Sequence, residues 1–161
     1  MKRLLPLLVL VPILLFGGRY AYEKFAVSEE AKIARQLDAL AKEFGKDKDE
    51  TIIVAMQRGA KILDYFADEF VAEPGSPFPK VDNKKQFIGL IANFRNTTKR
   101  LTVSDVERDI RTRGHVADVV TTLRADYNGL GQRGTEVRRF QIGMEKFSGD
   151  WLITRVHLLE E

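Results

Sequence analysis

The chain contains no cysteine. It therefore has no disulfide framework, and no thiol stands near its N-terminus to carry a bacterial lipid anchor. That absence does not exclude an exported protein, because a domain of this size can stand on its own core. Histidine is scarce as well: the two present, His115 and His157, lie about forty residues apart with no HxxxH or HxH spacing, which leaves no metal-binding pattern. Neither sign of charge dominates, since Lys and Arg number 26 against 23 acidic residues. Setting aside Lys2 and Arg3, the remainder is nearly neutral, with acids and bases interleaved throughout. Nucleic-acid binding needs a basic face to neutralise phosphates, so no nucleic-acid partner is expected. The chain also lacks a full-length apolar span. Its longest uncharged run, Leu4 to Gly18, reaches about 22 Å as a helix against the roughly 30 Å of a bilayer core.

That run nevertheless follows Lys2 and Arg3, the plan of a secretory signal or a signal-anchor. Its shortness favours cleavage. Retention is favoured by the poor cleavage sites, since Arg19 precedes Ala21 and Lys24 precedes Ala26 at the position that wants a small residue. Tyr20, Tyr22 and Phe25 could rest at headgroup depth while Arg19 snorkels, so that residues 4–22 form the membrane segment. Residues 1–27 are thus read as a signal peptide or an uncleaved anchor with a short linker, and 28–161 as one domain. The basic N-terminus predicts that this domain is extracytoplasmic: held at the inner membrane facing the periplasm, or soluble in the periplasm or secreted after cleavage.

Ser28 with Glu29 and Glu30 marks a helix start, and Ile33, Leu37, Leu40, Ala41 and Phe44 form one face before Gly45. A second helix is expected from about Asp49 to Leu63, burying Ile52, Ile53, Met56, Ala60 and Leu63 and packing on the first. DYFADEFVAE reads as a short strand or turn, and Pro74, Gly75, Pro77 and Pro79 then impose a loop. Asn83, with Gln86 three residues on, caps a third helix whose face is Phe87, Leu90, Ile91 and Phe94. From Leu101 the period becomes two, giving four strands at about 100–111, 115–127, 135–147 and 151–159. Ala117, Val119, Thr121, Leu123, Ala125 and Tyr127 share one face of the second; Phe140, Ile142 and Met144 face the core in the third. The result is an α+β domain.

The element order and the wording ILDYFADEFVAE, NKKQFIGLI and GDWLITRVHLLEE resemble the nuclear-transport-factor-two-like superfamily, which includes SnoaL-like cyclases and ketosteroid isomerases and shares the cystatin-like cone. The resemblance covers about residues 28–161. It implies three N-terminal helices packed on a curved antiparallel sheet that forms a cone-shaped pocket. It also implies a place for a proton-shuttling acid, which falls on Glu73 beside Pro74. The oxyanion donors of isomerase relatives are not matched: the first helix has no tyrosine, and Gly143 stands where those relatives place a strand acid. Glu73 otherwise reads as a solvated acid ending a strand.

Tyr65 and Tyr127 either line the cone or fill the helix-sheet core with their hydroxyls at its edge. Phe140, Met144 and Trp151 complete the candidate ligand wall, with Trp151 also readable as core. His115 reads as a turn residue and His157 as a sheet-surface residue. The many arginines of the sheet alternate with acids, which predicts cross-strand ion pairs. GLGQRG superficially matches a dinucleotide fingerprint, but it joins two strands and precedes no helix, so it is read as a hairpin loop and no cofactor is implied. Two functions remain open. One is a noncatalytic envelope module that binds a partner protein, a second copy through its sheet, or a small apolar ligand. The other is an isomerase, cyclase or hydrolase using Glu73.

Overall fold

The computed structural model describes residues 27–129 and 132–159. The expected signal or anchor segment lies outside the described residues, and among those described no helix is long and apolar enough to cross a membrane.

The first helix, α1, spans Glu29–Phe44. Ser28 caps it, its Oγ accepting the Ala31 N–H at 3.1 Å, and Glu29 and Glu30 sit at the positive end of its dipole. Ile33, Leu37 and Leu40 form its buried stripe. Gly45 follows the last turn, but with φ −59° it is not the left-handed cap that a glycine there suggests. A side chain from another helix does that work instead. Arg95 donates Nη1 to the carbonyls of Glu43 and Phe44 and Nη2 to that of Gly45.

Helix α2 spans Ile52–Leu63 and helix α3 Lys84–Thr97, the latter capped by Asn83, whose side chain accepts the Gln86 N–H at 2.9 Å. The expected buried face of α2 is corrected. Ala55, Gly59, Ile62 and Leu63 are inside, while Ile52, Ile53, Met56 and Ala60 are exposed. Gly59 supplies the reason: it lies against the backbone of Ile88, where an added Cβ would meet Ile88 O at 3.4 Å. The two helices approach along this small-residue stripe, which turns the larger apolar residues outward. Accordingly α2 packs chiefly on α3, with fewer contacts to α1, its expected partner.

Five strands form one sheet in the order β1-β5-β4-β3-β2. They are β1 (Phe66–Glu73), β2 (Thr98–Arg113), β3 (Val116–Gly129), β4 (Gln132–Phe147) and β5 (Asp150–Leu159). The four strands from β2 to β5 form the antiparallel meander that the period of two predicts. FADEFVAE is a full eight-residue strand that joins β5 in parallel, so the sheet is mixed at this edge. On either side of the GLGQRG stretch β3 and β4 pair antiparallel, Gly129 with Gln132. Ser148 and Gly149, both at positive φ, make the tight turn between β4 and β5.

The three helices cover one face of this curved, unclosed sheet. Phe66, Phe70 and Phe87 form a ring cluster with centroids 4.9 to 5.5 Å apart, within the range at which aromatic pairs attract. The expected cross-strand ion pairs are also corrected. Arg111 pairs with Asp109, Arg124 with Asp126 and Arg138 with Glu136, each two residues away along the same strand. Residues i and i+2 share a face of a strand, and the long arginine stem spans that step.

Candidate functional site

Between the helix layer and the sheet lies a cavity of about 300 Å³. Its sheet wall comprises Leu101 and Val103 of β2, Leu123 and Ala125 of β3, and Phe140 and Ile142 of β4. Strand register brings these together, because Val103 pairs with Ala125 and Ala125 with Glu136, while Leu123 pairs with Arg138 and Thr121 with Phe140. The helix wall is Leu40 and Phe44 of α1 with Leu90, Ile91 and Phe94 of α3. Those α3 residues were legible as its apolar face. Glu136 and Arg138 are the charged side chains in the described lining.

The loop from Pro74 to Pro79 closes one side through Pro74 and Phe78. Its base is pinned by paired hydrogen bonds between Ala72 and Val81, each 2.8 Å, and by the Lys80–Glu73 ion pair at 2.9 Å. Its tip leans on α3, where Phe78 meets Phe94 edge to face at 5.8 Å. From the sheet, Arg138 Nη1 donates to Ser76 O at 2.9 Å. The backbone at Gly75 favours glycine, and a side chain there would also displace Leu158. The Gly75 φ is +77°, and a Cβ would stand 2.3 Å from Leu158 Cδ2.

Of the sequence candidates, Phe140 lies in this wall. Met144 and Trp151 are fully buried members of the core, and Tyr65 packs against that core half-buried; none of the three is a lining residue. Trp151 belongs to the other end of α1: its Nε1 donates to Glu29 Oε2 at 2.7 Å, and Gln36 donates to its carbonyl. The Glu29 carboxyl is held at about 2 by Lys146 first, then by Lys32 and the Trp151 N–H. Tyr127 shares the cavity face one step nearer the β3–β4 hairpin, outside the lining, its ring lying over Gly134.

Glu73 is also outside the cavity lining. Its carboxylate accepts from Lys80 and lies 3.1 Å from His157 Nδ1. These neighbours, Lys80 foremost, hold its carboxyl below the usual carboxylate range. A general base of the isomerase kind needs the opposite shift, produced by burial. His157 is exposed on the sheet surface, and His115 is exposed in the β2–β3 turn, as their sequence positions suggest. Among the described residues no group of three or more His, Cys, Asp or Glu is placed to hold a metal.

A second depression, about 460 Å³, opens among Lys48, Lys99, Arg100 and Arg133 with Asp47 and Asp49. It is larger but lined by polar and charged side chains of both signs, so it offers little apolar burial. The apolar cavity between helices and sheet is the better binding site.

No family model matches this chain, and no curated protein matches it. Solved structures do. An NTF2-like protein of unknown function from Pseudomonas putida KT2440 superposes with a TM-score of 0.63 at 13% identity, over 82% of this chain and 86% of that one. The fold is the nuclear-transport-factor-two-like cone. A Novosphingobium aromaticivorans protein named for scytalone dehydratase shares this cone at a TM-score of 0.61 and 12% identity, covering 78% of this chain and 79% of its own. Rv3472 of Mycobacterium tuberculosis, of unknown function, matches at 0.61 and 12% over 80% and 76% of the two chains. Cone folds thus span named enzymes and proteins without a known role, and identity at this level speaks to the fold alone.

The sequence reading missed Glu136 and Arg138. The signal was there: the core face of β4 runs Phe140, Ile142, Met144, and two further steps of two toward its start reach Arg138 and Glu136.

Proposed function

We propose that this protein is a noncatalytic binding module of a bacterial-type cell envelope, whose cone cavity takes a small apolar ligand. The observation that carries this reading is the cavity itself, lined mainly by hydrocarbon side chains from the helices, the sheet and the Pro74–Pro79 loop. Such a lining gains free energy by removing apolar ligand surface from water, at about 25 cal/mol per Å². The ion pairs that hold the Glu73 carboxyl below the usual carboxylate range make it a weaker base, and this and its place outside the lining weigh against the isomerase, cyclase or hydrolase reading. The uncharged run after Lys2 and Arg3 supports an inner-membrane tether through residues 4–22 with the cone domain in the periplasm.

The test uses N-phenyl-1-naphthylamine, an uncharged dye that brightens in apolar surroundings, with the full-length chain. Saturable brightening is expected, and Ala125→Trp, which fills the cavity from the sheet side, should abolish it while leaving the circular dichroism spectrum intact. Equal binding by wild type and A125W would place the dye elsewhere and overturn the cavity reading.

A further inference from the structure

The cavity is apolar except at one end, and that end is organised. On β4, Glu136 and Arg138 stand two residues apart on the cavity face. Arg138 is fixed at two points: Nε donates to Glu136 Oε2 at 3.0 Å and Nη1 to Ser76 O at 2.9 Å. Nη2 has no hydrogen-bond partner among the described residues. The guanidinium is therefore held in place with donors to spare, and its side chain is 28% exposed against 48% for Glu136. The cation is the more sheltered of the two charges. Its contact with the loop backbone also places it where the Pro74–Pro79 loop meets the sheet wall.

We propose that the ligand is an amphipathic carboxylate, its hydrocarbon part in the cavity and its carboxylate received by Arg138. This rests on the reading of the cavity as a ligand site and names the ligand's chemistry. A ligand with a polar end has to place that end beside Glu136 and Arg138, because every other lining side chain is hydrocarbon. Between those two, a planar guanidinium already oriented by two partners loses little freedom on accepting a carboxylate, and Nη2 carries two N–H donors that neither partner uses. Glu136 holds Arg138 through Nε, and at 48% exposure solvent screens its repulsion of a second carboxylate on the same guanidinium. An amine head would have to take Glu136 from Arg138 or bind its more solvated oxygen, where screening weakens the attraction. Arg138 is thus a specificity-determining residue, and Ser76, through its carbonyl, couples the position of that residue to the loop.

The experiment compares three probes with the same eight-carbon chain, octanoate, 1-octanol and octylamine, as competitors of N-phenyl-1-naphthylamine on the full-length protein at pH 7. Octanoate should displace the dye at about tenfold lower concentration than octanol, the range that one charge-assisted hydrogen-bonded contact provides. In Arg138→Met octanoate should fall to the level of octanol or below while octanol and dye binding persist, and Arg138→Lys should retain part of the preference. Equal displacement by octanoate and octanol in wild type overturns the carboxylate assignment and leaves the apolar cavity standing. Preference for octylamine assigns the head-group role to Glu136 and overturns it too. Failure of the dye and all three competitors to bind removes the underlying reading, and with it this proposal. Should Arg138→Met fail to fold, Arg138→Lys and the wild-type ranking of the three heads still decide.

Discussion

Replacing Arg95 tests whether the cavity's helix wall is held by one buried cation. Its side chain is 2% exposed, and all five of its N–H donors are used: two to Glu50, at 3.0 and 2.6 Å, and three to the carbonyls that end α1, between 2.8 and 3.2 Å. Arg95→Met keeps much of the hydrocarbon volume but leaves the Glu50 carboxylate, itself only 10% exposed, without its partner, and strips three carbonyls at a buried helix end. Removing one member of a buried ion pair costs about 3–5 kcal/mol, so a loss of this size is expected. Urea unfolding followed by Trp151, the single tryptophan, gives the value directly. Arg111→Ala is the control, since its pair with Asp109 is 74% and 57% exposed and should be worth less than about 1 kcal/mol. The double variant Arg95→Met, Glu50→Leu should recover part of the loss, because no charge is then left buried alone, although the α1 carbonyls stay bare. A loss below about 1 kcal/mol for R95M would refute the clamp. Leu40 and Phe44 of α1 and Phe94 of α3 line the cavity beside this clamp, so dye binding should weaken together with stability.

Other consequences can be checked independently. The Glu29 carboxyl, lowered from 4.5 to about 2 in the folded protein, contributes stability that is complete above about pH 4.5 and is lost as pH falls toward 2; Glu29→Gln should flatten the acid limb of a stability profile read from Trp151 emission. Gly75→Ala should cost about 1–3 kcal/mol by thermal unfolding, since it forces a residue with a Cβ into positive φ and against Leu158. Ile53→Lys, at a position 66% exposed, should change stability by no more than about 0.5 kcal/mol, where a core isoleucine would cost several. Recovery of the full-length chain from native membranes after an alkaline wash is the outcome expected of a retained anchor; a soluble chain beginning near residues 19 to 27 would show cleavage.

Much of this architecture follows from local chemistry. Ser28 and Asn83 announce their helices because a side-chain oxygen can satisfy a free amide at a helix start, and the period of two from Leu101 onward can be satisfied only by extended chain. The inward face of β3 was equally plain, since Ala117, Val119 and Thr121 are all buried. Other features depended on partners distant in sequence. The buried side of α2 was settled by the close approach of Gly59 to Ile88, a contact that favours small residues over the larger apolar ones pattern would choose. The parallel pairing of β1 with β5 joins residues more than eighty positions apart. Arg95 resembles any polar helix residue until α1 is seen to end against it. The cavity belongs to the same class: alternation identifies which strand residues face inward, but the distance at which the helices stand from the sheet is set by all the layers packing together. That standoff leaves Phe140 lining a space, buries Met144 in the core, and turns Arg138 from a sheet arginine into the charged end of an apolar pocket.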